Sequence, residues 1–208
     1  MAARQTAPSS QPLVSKGWIQ GVALVMIFGF LVMGILAYRT YSASIPMPDK
    51  VVNESGQLLF TGDDITRGQE LYQARGLMEY GSVLGHGAYL GPDYTAEYLR
   101  MATDDVANQL RTQGVTDPRD RVVNEFRANR YNAATKTLVF TNRQAAAFDR
   151  IQSHYAAYFG ENSTKYGLLP QMVTDKAQIH DLTAFFAWTA WAGAAERPGH
   201  KYSYTNNW

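Results

Sequence analysis

Between Lys16 and Arg39 the chain runs through 22 residues, 17–38, without a charge. At a rise of ~1.5 Å per residue, a helix of that length covers about 33 Å, enough for the ~30 Å hydrocarbon core of a bilayer. Trp18 at one end, with Tyr38 and Tyr41 at the other, suits the aromatic belts of the two interfaces. A cleavable signal peptide is the rival reading, with Ser42-Ala43-Ser44 as a small-residue site. Its apolar region, however, normally runs only ~7–15 residues. The leading segment carries Arg4, Lys16 and the terminal amine with no acid, whereas Arg39 and Lys50 are matched by Asp49 and Glu54. This asymmetry puts the N-terminus in the cytoplasm and the remainder on the periplasmic or extracellular side.

The segment beyond the anchor has the composition of a folded domain. The chain of 208 residues is 46% hydrophobic, and its 13 Tyr and 4 Trp supply an aromatic core. A net charge of +1 without a basic run argues against nucleic acid as a partner, because neutralising phosphates needs a clustered basic face. The chain has no cysteine, which removes disulfides, thiolate zinc sites, iron–sulfur clusters and thioether-linked haem together. An electron-carrying c-type cytochrome is a third reading, which the same lack of cysteine nearly excludes.

The pattern predicts a mainly α chain. Residues 1–16 read as a disordered cytoplasmic tail, 17–41 as the transmembrane helix and 42–62 as a juxtamembrane linker holding Ile45-Pro46-Met47-Pro48. An all-α extramembrane domain spans 63–195, and 196–208 form a hinge. Asp63-Asp64 begin a helix bearing Leu71 and Tyr72 that stops at Gly76. A second follows Pro92-Asp93, with Tyr98, Ala102, Val106 and Leu110 at helical spacing and Gly114 beyond. Asp117-Pro118 open a third, with Val122, Val123 and Phe126 on one side. Thr141 and Gln144 form a capping box for a helix carrying Phe148, Ile151, Tyr155 and Tyr158 up to Gly160. The last helix starts near Thr174. Its apolar stretch, 182–195, is too short to span a bilayer and reads as buried or interfacial. Thr137-Leu138-Val139-Phe140 is the only strand-like run expected.

Glycines at 76, 81, 85, 87 and 91 mark the stretch 76–93 as a loop of unusual dihedrals or close backbone approach. It lacks the Gly-Lys-Ser/Thr of a phosphate loop, and by itself reads as a tight Ω-like loop. Its Gly85-His86-Gly87-Ala88-Tyr89 and Pro92-Asp93 resemble the segment after the C-x-x-C-H haem attachment in the small cytochrome c subunit of two-component bacterial nitric oxide reductases. The attachment positions here hold Leu77, Tyr80 and Gly81. Asp181-Leu182-Thr183-Ala184-Phe185-Phe186-Ala187-Trp188 is similar to that family's final helix, and Leu168-Leu169-Pro170 stand where its axial methionine precedes a proline, with Met172 on the other side of Pro170. A cytochrome c fold without haem ligands resembles the N-terminal portion of the single-chain, quinol-dependent nitric oxide reductases. Leu59-Phe60-Thr61-Gly62-Asp63-Asp64-Ile65, Phe126-Arg127-Ala128-Asn129-Arg130-Tyr131, Arg197-Pro198-Gly199 and the closing Asn206-Asn207-Trp208 are similar to it as well. The likeness covers roughly residues 15–208.

This resemblance implies a non-catalytic part of an enzyme that reduces two NO to N2O and water with electrons from quinol. The part would cap the catalytic, haem-bearing transmembrane domain, to which 196–208 lead. Haem b, haem b3 and non-haem iron belong to that domain, and none is bound by this chain alone, which is expected to be inactive by itself. The resemblance also implies a junction calcium that takes the carbonyl of Gly87 and the hydroxyl of Tyr89, completed by carboxylates from elsewhere. The alternative for Tyr89 is packing at the domain–membrane junction. The alternative for the whole is an independent membrane-tethered scaffold or binding protein that reuses a haem-less cytochrome fold.

The remaining candidates have bland readings. His86 lies in the glycine loop, His154 on an amphipathic helix, His180 beside Asp181 as a possible ion pair, and His200 in the hinge; no two have the spacing of a helical metal pair. Glu79 and Asp93 read as surface carboxylates or caps rather than proton relays. Phe185, Phe186, Trp188 and Trp191 could line a quinol slot, but their spacing favours a core face, with the two tryptophans at the membrane interface. Gly21, Gly29 and Gly34 in the anchor would be close-packing positions for other transmembrane helices.

Overall fold

The computed structural model describes residues 14–42, 44–88 and 90–205. Tyr89, most of the leading tail and the Asn206-Asn207-Trp208 end lie outside the described residues. The chain divides into two units, residues 1–44 and 45–208.

The first unit is one helix, α1 (Lys16–Ser42). It contains no proline, and the carbonyl of Ser15 accepts from the amides of Trp18 and Ile19 at its start. Arg39 sits in the last turn, where a cation complements the helix dipole. None of its residues is buried, and apolar side chains surround it on every side. It is long and apolar enough to cross a membrane.

The second unit packs five helices against a small sheet: α2 (Gly62–Ala74), α3 (Tyr94–Thr112), α4 (Arg119–Arg127), α5 (Asn142–Phe159) and α6 (Lys176–Ala194). Each start has a physical cause. Thr61 caps α2 with Asp64 reciprocating, so the cap lies two residues ahead of the expected Asp63-Asp64. Asp93 caps α3, Thr141 and Gln144 form the expected capping box on α5, and Asp175 caps α6. Pro118 is the residue before α4 rather than inside its first turn. In α4, Val122 is buried but Val123 is exposed, so the two do not share a face.

The fold is mainly helical, as expected, but its strand content was underestimated. A four-stranded sheet runs in the order β2 (Leu58–Thr61), β1 (Lys50–Asn53), β6 (Thr137–Phe140), β5 (Tyr131–Asn132). β1 pairs antiparallel with β2 and parallel with β6, with Val51 opposite Leu138 and Asn53 opposite Phe140. The stretch 42–62, expected to be a linker, therefore carries two strands from Lys50 onward. Val51, Phe60, Leu138 and Phe140 point from the sheet into the core. Phe60 stacks on Phe148 of α5 at 5.0 Å, which ties sheet to helices.

α6 is the central helix. Twelve of its residues are buried, including Phe185, Phe186 and Trp191. This settles the aromatic row as core. Trp191 is 8% exposed and packs on Tyr131 and Tyr204, so it is not an interfacial residue. Trp188 is half-buried and donates to the carbonyl of Pro46 at 3.1 Å. Gly68 lets α2 press onto α6, since a Cβ there would lie 2.0 Å from the carbonyl oxygen of Asp181. Asp181 accepts from Arg67 of α2 at 3.0 Å, and Arg67 also contacts Asp64. His180 has a structural place, as its bland reading held, and not a pairing with Asp181: its ring lies 3.1 Å from the Gln152 side chain and 3.9 Å from Asp64.

Candidate functional site

The glycine stretch is a tightly bonded structure rather than a slack connection. Gly76 takes the left-handed conformation (φ 63°) that ends α2 and opens a single 3₁₀ turn at Leu77–Glu79. β3 (Ser82–Val83) and β4 (His86–Gly87) then form a two-residue hairpin. Both turn residues, Leu84 and Gly85, have positive φ (53° and 77°), as a type I′ turn demands. Leu84 carries the strain of that conformation, and its amide is held by Thr95 Oγ1 at 3.0 Å. Thr95 in turn donates to Thr189 of α6, so the hairpin is pinned to the core through a buried hydroxyl pair.

Asp93 holds the two ends of the loop together. One carboxylate oxygen accepts from Ser82 Oγ at 2.8 Å and from the Gly85 amide at 2.7 Å; the other accepts from the Ala96 amide as the α3 cap. Its carboxylate is thus occupied by structure, in keeping with the capping role and not with a relay. Glu79 is exposed, and its amide donates to the Gly76 carbonyl at 3.0 Å. His86 bonds only the carbonyl of Leu84, and His200 is exposed against Tyr202.

The three positions that correspond to C-x-x-C-H have definite surroundings. Leu77 is fully buried in the main core. Tyr80 is half-buried against it. Gly81 is the most informative: a Cβ there would lie 2.5 Å from the Pro92 carbonyl oxygen and 2.7 Å from a ring carbon of Tyr94. Its own carbonyl accepts from the buried Tyr72 hydroxyl at 2.9 Å. Tyr94 lies parallel to Phe186 with ring centres 4.8 Å apart, and Tyr72, Tyr155, Tyr158 and Phe159 surround it. Burial pushes the Tyr72 hydroxyl up to about 12, and that of Tyr94 higher still, so both remain neutral donors. Leu168 and Met172 are buried in the same core, whereas Leu169 is largely exposed.

The calcium candidates fare differently. Gly87 is described: it has φ 139°, and a Cβ there would sit 2.6 Å from the Gly81 carbonyl oxygen, so no side chain fits. Tyr89 lies outside the described residues. Among the described residues no group of three or more His, Asp or Glu side chains converges as a metal site. Sequence reasoning missed the anchoring roles of Thr95, Thr189 and Tyr72, since isolated Thr and Tyr residues give no pattern in a sequence.

Fold and loop together define a mainly helical, cytochrome c-like domain that follows, in the sequence, one apolar helix of membrane-spanning length. The comparison with known families agrees: the family of the cytochrome c-like domain of NorB, a nitric oxide reductase subunit, matches residues 48–208. The chain belongs to this family. A search of curated proteins gave no match.

Proposed function

We propose that this chain is the non-catalytic N-terminal part of a quinol-dependent nitric oxide reductase, and that its folded unit caps the haem-bearing membrane domain from the periplasmic side. The observation that carries the reading is the crowding at Gly81. The family is cytochrome c-like, yet the position of the ligating histidine is backed by Tyr94 and the Pro92 carbonyl, so that even a methyl group there would force the loop or the ring to shift. A domain so built does not hold haem c and so does not relay electrons through it. Electrons then enter the enzyme by another donor, and a membrane quinol is the donor that needs no soluble cytochrome. Gly21, Gly29 and Gly34 of α1 fit the reading, since small residues let transmembrane helices approach closely.

Within this reading the Gly87 carbonyl and the Tyr89 hydroxyl would supply neutral oxygens to a calcium, with the negative charge it needs coming from the catalytic domain. The independent tethered scaffold is separated by what the gene encodes past codon 208. Continuation into a series of apolar helices bearing histidines supports the reductase, and a stop codon there overturns it. In the complete protein, Tyr89→Phe should lower calcium content measured by atomic emission. Unchanged calcium removes Tyr89 from the ligand set. The purified chain alone should show no Soret band and consume no NO.

A further inference from the structure

Where α3, α4 and the end of α6 meet, they leave an open groove of about 620 Å³. Its floor is apolar, made by Leu99 and Ala107 of α3 and by Val122, Val123 and Phe126 of α4. Val123 is 38% exposed, whereas Val122 beside it is 7% exposed. Arg119, Val123 and Arg127 recur every four residues, so they lie along one exposed stripe of α4 with a guanidinium at each end. Over eight residues that stripe is about 12 Å long. Among the described residues, neither of these guanidinium groups has a hydrogen-bond or ion-pair partner. The acids in the groove are already engaged: Asp117 accepts from the Arg119 amide, and Asp104 pairs with Arg100 at 3.4 Å. Arg111, on the α3 side, donates to the neutral Asn108. Asp120, the one exposed acid of α4, is not among the groove's lining residues.

The groove also has a definite place along the chain. Ala194, at the end of α6, lines it. Trp188, six residues earlier and so about 9 Å along that helix, is the residue that donates to the Pro46 carbonyl. Only residues 43 and 44 lie between the end of α1 and Ile45, where the folded unit begins. The chain therefore enters this unit near the end of α6 that borders the groove, a few residues after a helix long enough to cross a membrane.

We infer that this groove docks onto anionic phospholipids of the bilayer that α1 is built to cross. Arg119 and Arg127 take headgroup phosphates, and Val123 lies between them against the glycerol and upper acyl carbons. Arginine suits the task, because its planar fork offers two donors to two phosphate oxygens at once. A short helix with cations on either side of an apolar side chain is suited to lie in the plane of the interface. An acidic peptide would answer the charges as well, but the bilayer is the partner that the chain's own connectivity holds within reach. The inference does not rest on the reductase role.

The chain has no cysteine, so Val123→Cys can carry a single nitroxide label. The full chain is placed in nanodiscs of phosphatidylcholine, alone or mixed with phosphatidylglycerol. Collisions of the label with lipid-dissolved oxygen and with a water-soluble nickel chelate then report its surroundings. The label should pass from nickel-accessible to oxygen-accessible only where phosphatidylglycerol is present, and should return at high salt. An arginine near an anionic surface favours docking roughly fivefold, so Arg119→Gln with Arg127→Gln should lower the ratio of docked to free label roughly tenfold or more. Both side chains are exposed, so the Tm of that double variant should match the parent's. A label at Ser153→Cys, exposed on α5, should stay nickel-accessible in both lipids. A Val123 label equally open to water in both lipids would overturn the inference. So would a lipid response that survives the double variant, or one equally strong at Ser153. Protection that follows the number of chains per disc, not the lipid, would make the occupant a second copy and overturn it too.

Discussion

Gly81→Ala bears most directly on the idea that rings have replaced haem in this domain. The added Cβ would start 2.7 Å from Tyr94 Cε2 and 2.5 Å from the Pro92 carbonyl oxygen. Relaxed carbon contacts lie at about 3.5–4.0 Å, so the loop or the ring must yield by roughly 0.8 Å. Overpacking of that kind costs about 1–3 kcal/mol. Gly81 is not among the residues of positive φ, so alanine recovers about 0.4–1 kcal/mol by restricting the unfolded chain. The expected net loss is about 1–2 kcal/mol, or roughly 3–7 °C in Tm for a domain of this size. Thermal unfolding followed by near-ultraviolet circular dichroism in detergent reads it. Gly193→Ala is the control: its Cβ would meet only Thr95 Cγ2, at 3.8 Å, inside a helix that favours alanine, so Tm should hold or rise slightly. On a Tyr94→Ala background the cost of Gly81→Ala should shrink without vanishing, because the Pro92 carbonyl stays. A neutral or stabilising Gly81→Ala, or a cost unchanged by removing the Tyr94 ring, would refute the argument that the ring wall excludes a ligating side chain.

Glu125 is 6% exposed and accepts from Arg143 at 2.7 Å and from the Thr141 hydroxyl; because Arg143 is a third exposed, Glu125→Ala should cost about 2 kcal/mol in denaturant titrations, less than a fully buried pair. Burial pushes the Asp64 carboxyl up, but the Thr61 amide and hydroxyl, with Arg67 and His180, outweigh it and hold it below its ordinary 3.8. Its stabilisation is therefore present above that value and lost as pH falls through the lower folded value, and Asp64→Ala, about 1 kcal/mol less stable at neutral pH, should show a shallower acid limb. His154 behaves in the opposite sense to a paired histidine. Burial, then Arg100, lowers it below 6.5, so the unfolded chain takes the proton first and stability falls as pH drops below that value. His154→Gln should flatten this stretch of the stability–pH curve.

The helices were legible because their boundaries are written in local chemistry. Thr141 with Gln144, Asp93 before Tyr94 and the spacing Tyr98, Ala102, Val106, Leu110 each name a start or a face, and the structure has them there. The strands β1, β2 and β5 are four residues or fewer, too short for an alternation to register, and the pairing that joins their two hairpins, β1 with β6, is between distant parts of the chain. A turn signal was present all the same: the Asn53 side chain accepts from the Ser55 and Gln57 amides, and Gly56 has positive φ. The glycine loop was legible as a place of close approach, but not the direction of each approach. That Gly81 faces Tyr94 while Gly91 faces the Tyr80 carbonyl depends on how α3 returns over the loop. The approach of Glu97 to His154, 3.9 Å apart, could not be seen at all, because the two lie on different helices and neither forms a motif with its neighbours.

The parallel pairing of β1 with β6 has a consequence for biogenesis. β1 is made soon after α1, yet residues 54–136 must be synthesised before the strand it lies beside exists. Until then β1 has only the short antiparallel β2 as a neighbour, and the core side chains Val51 and Phe60 have no helix to cover them. α6, against which most of the core closes, arrives later still. Contacts between such distant parts of a chain form late and slowly. The domain therefore stays open while most of its length is translated, with apolar strand edges exposed. The yield of this domain should therefore depend on the speed of translation through residues 54–136 more than on its final stability.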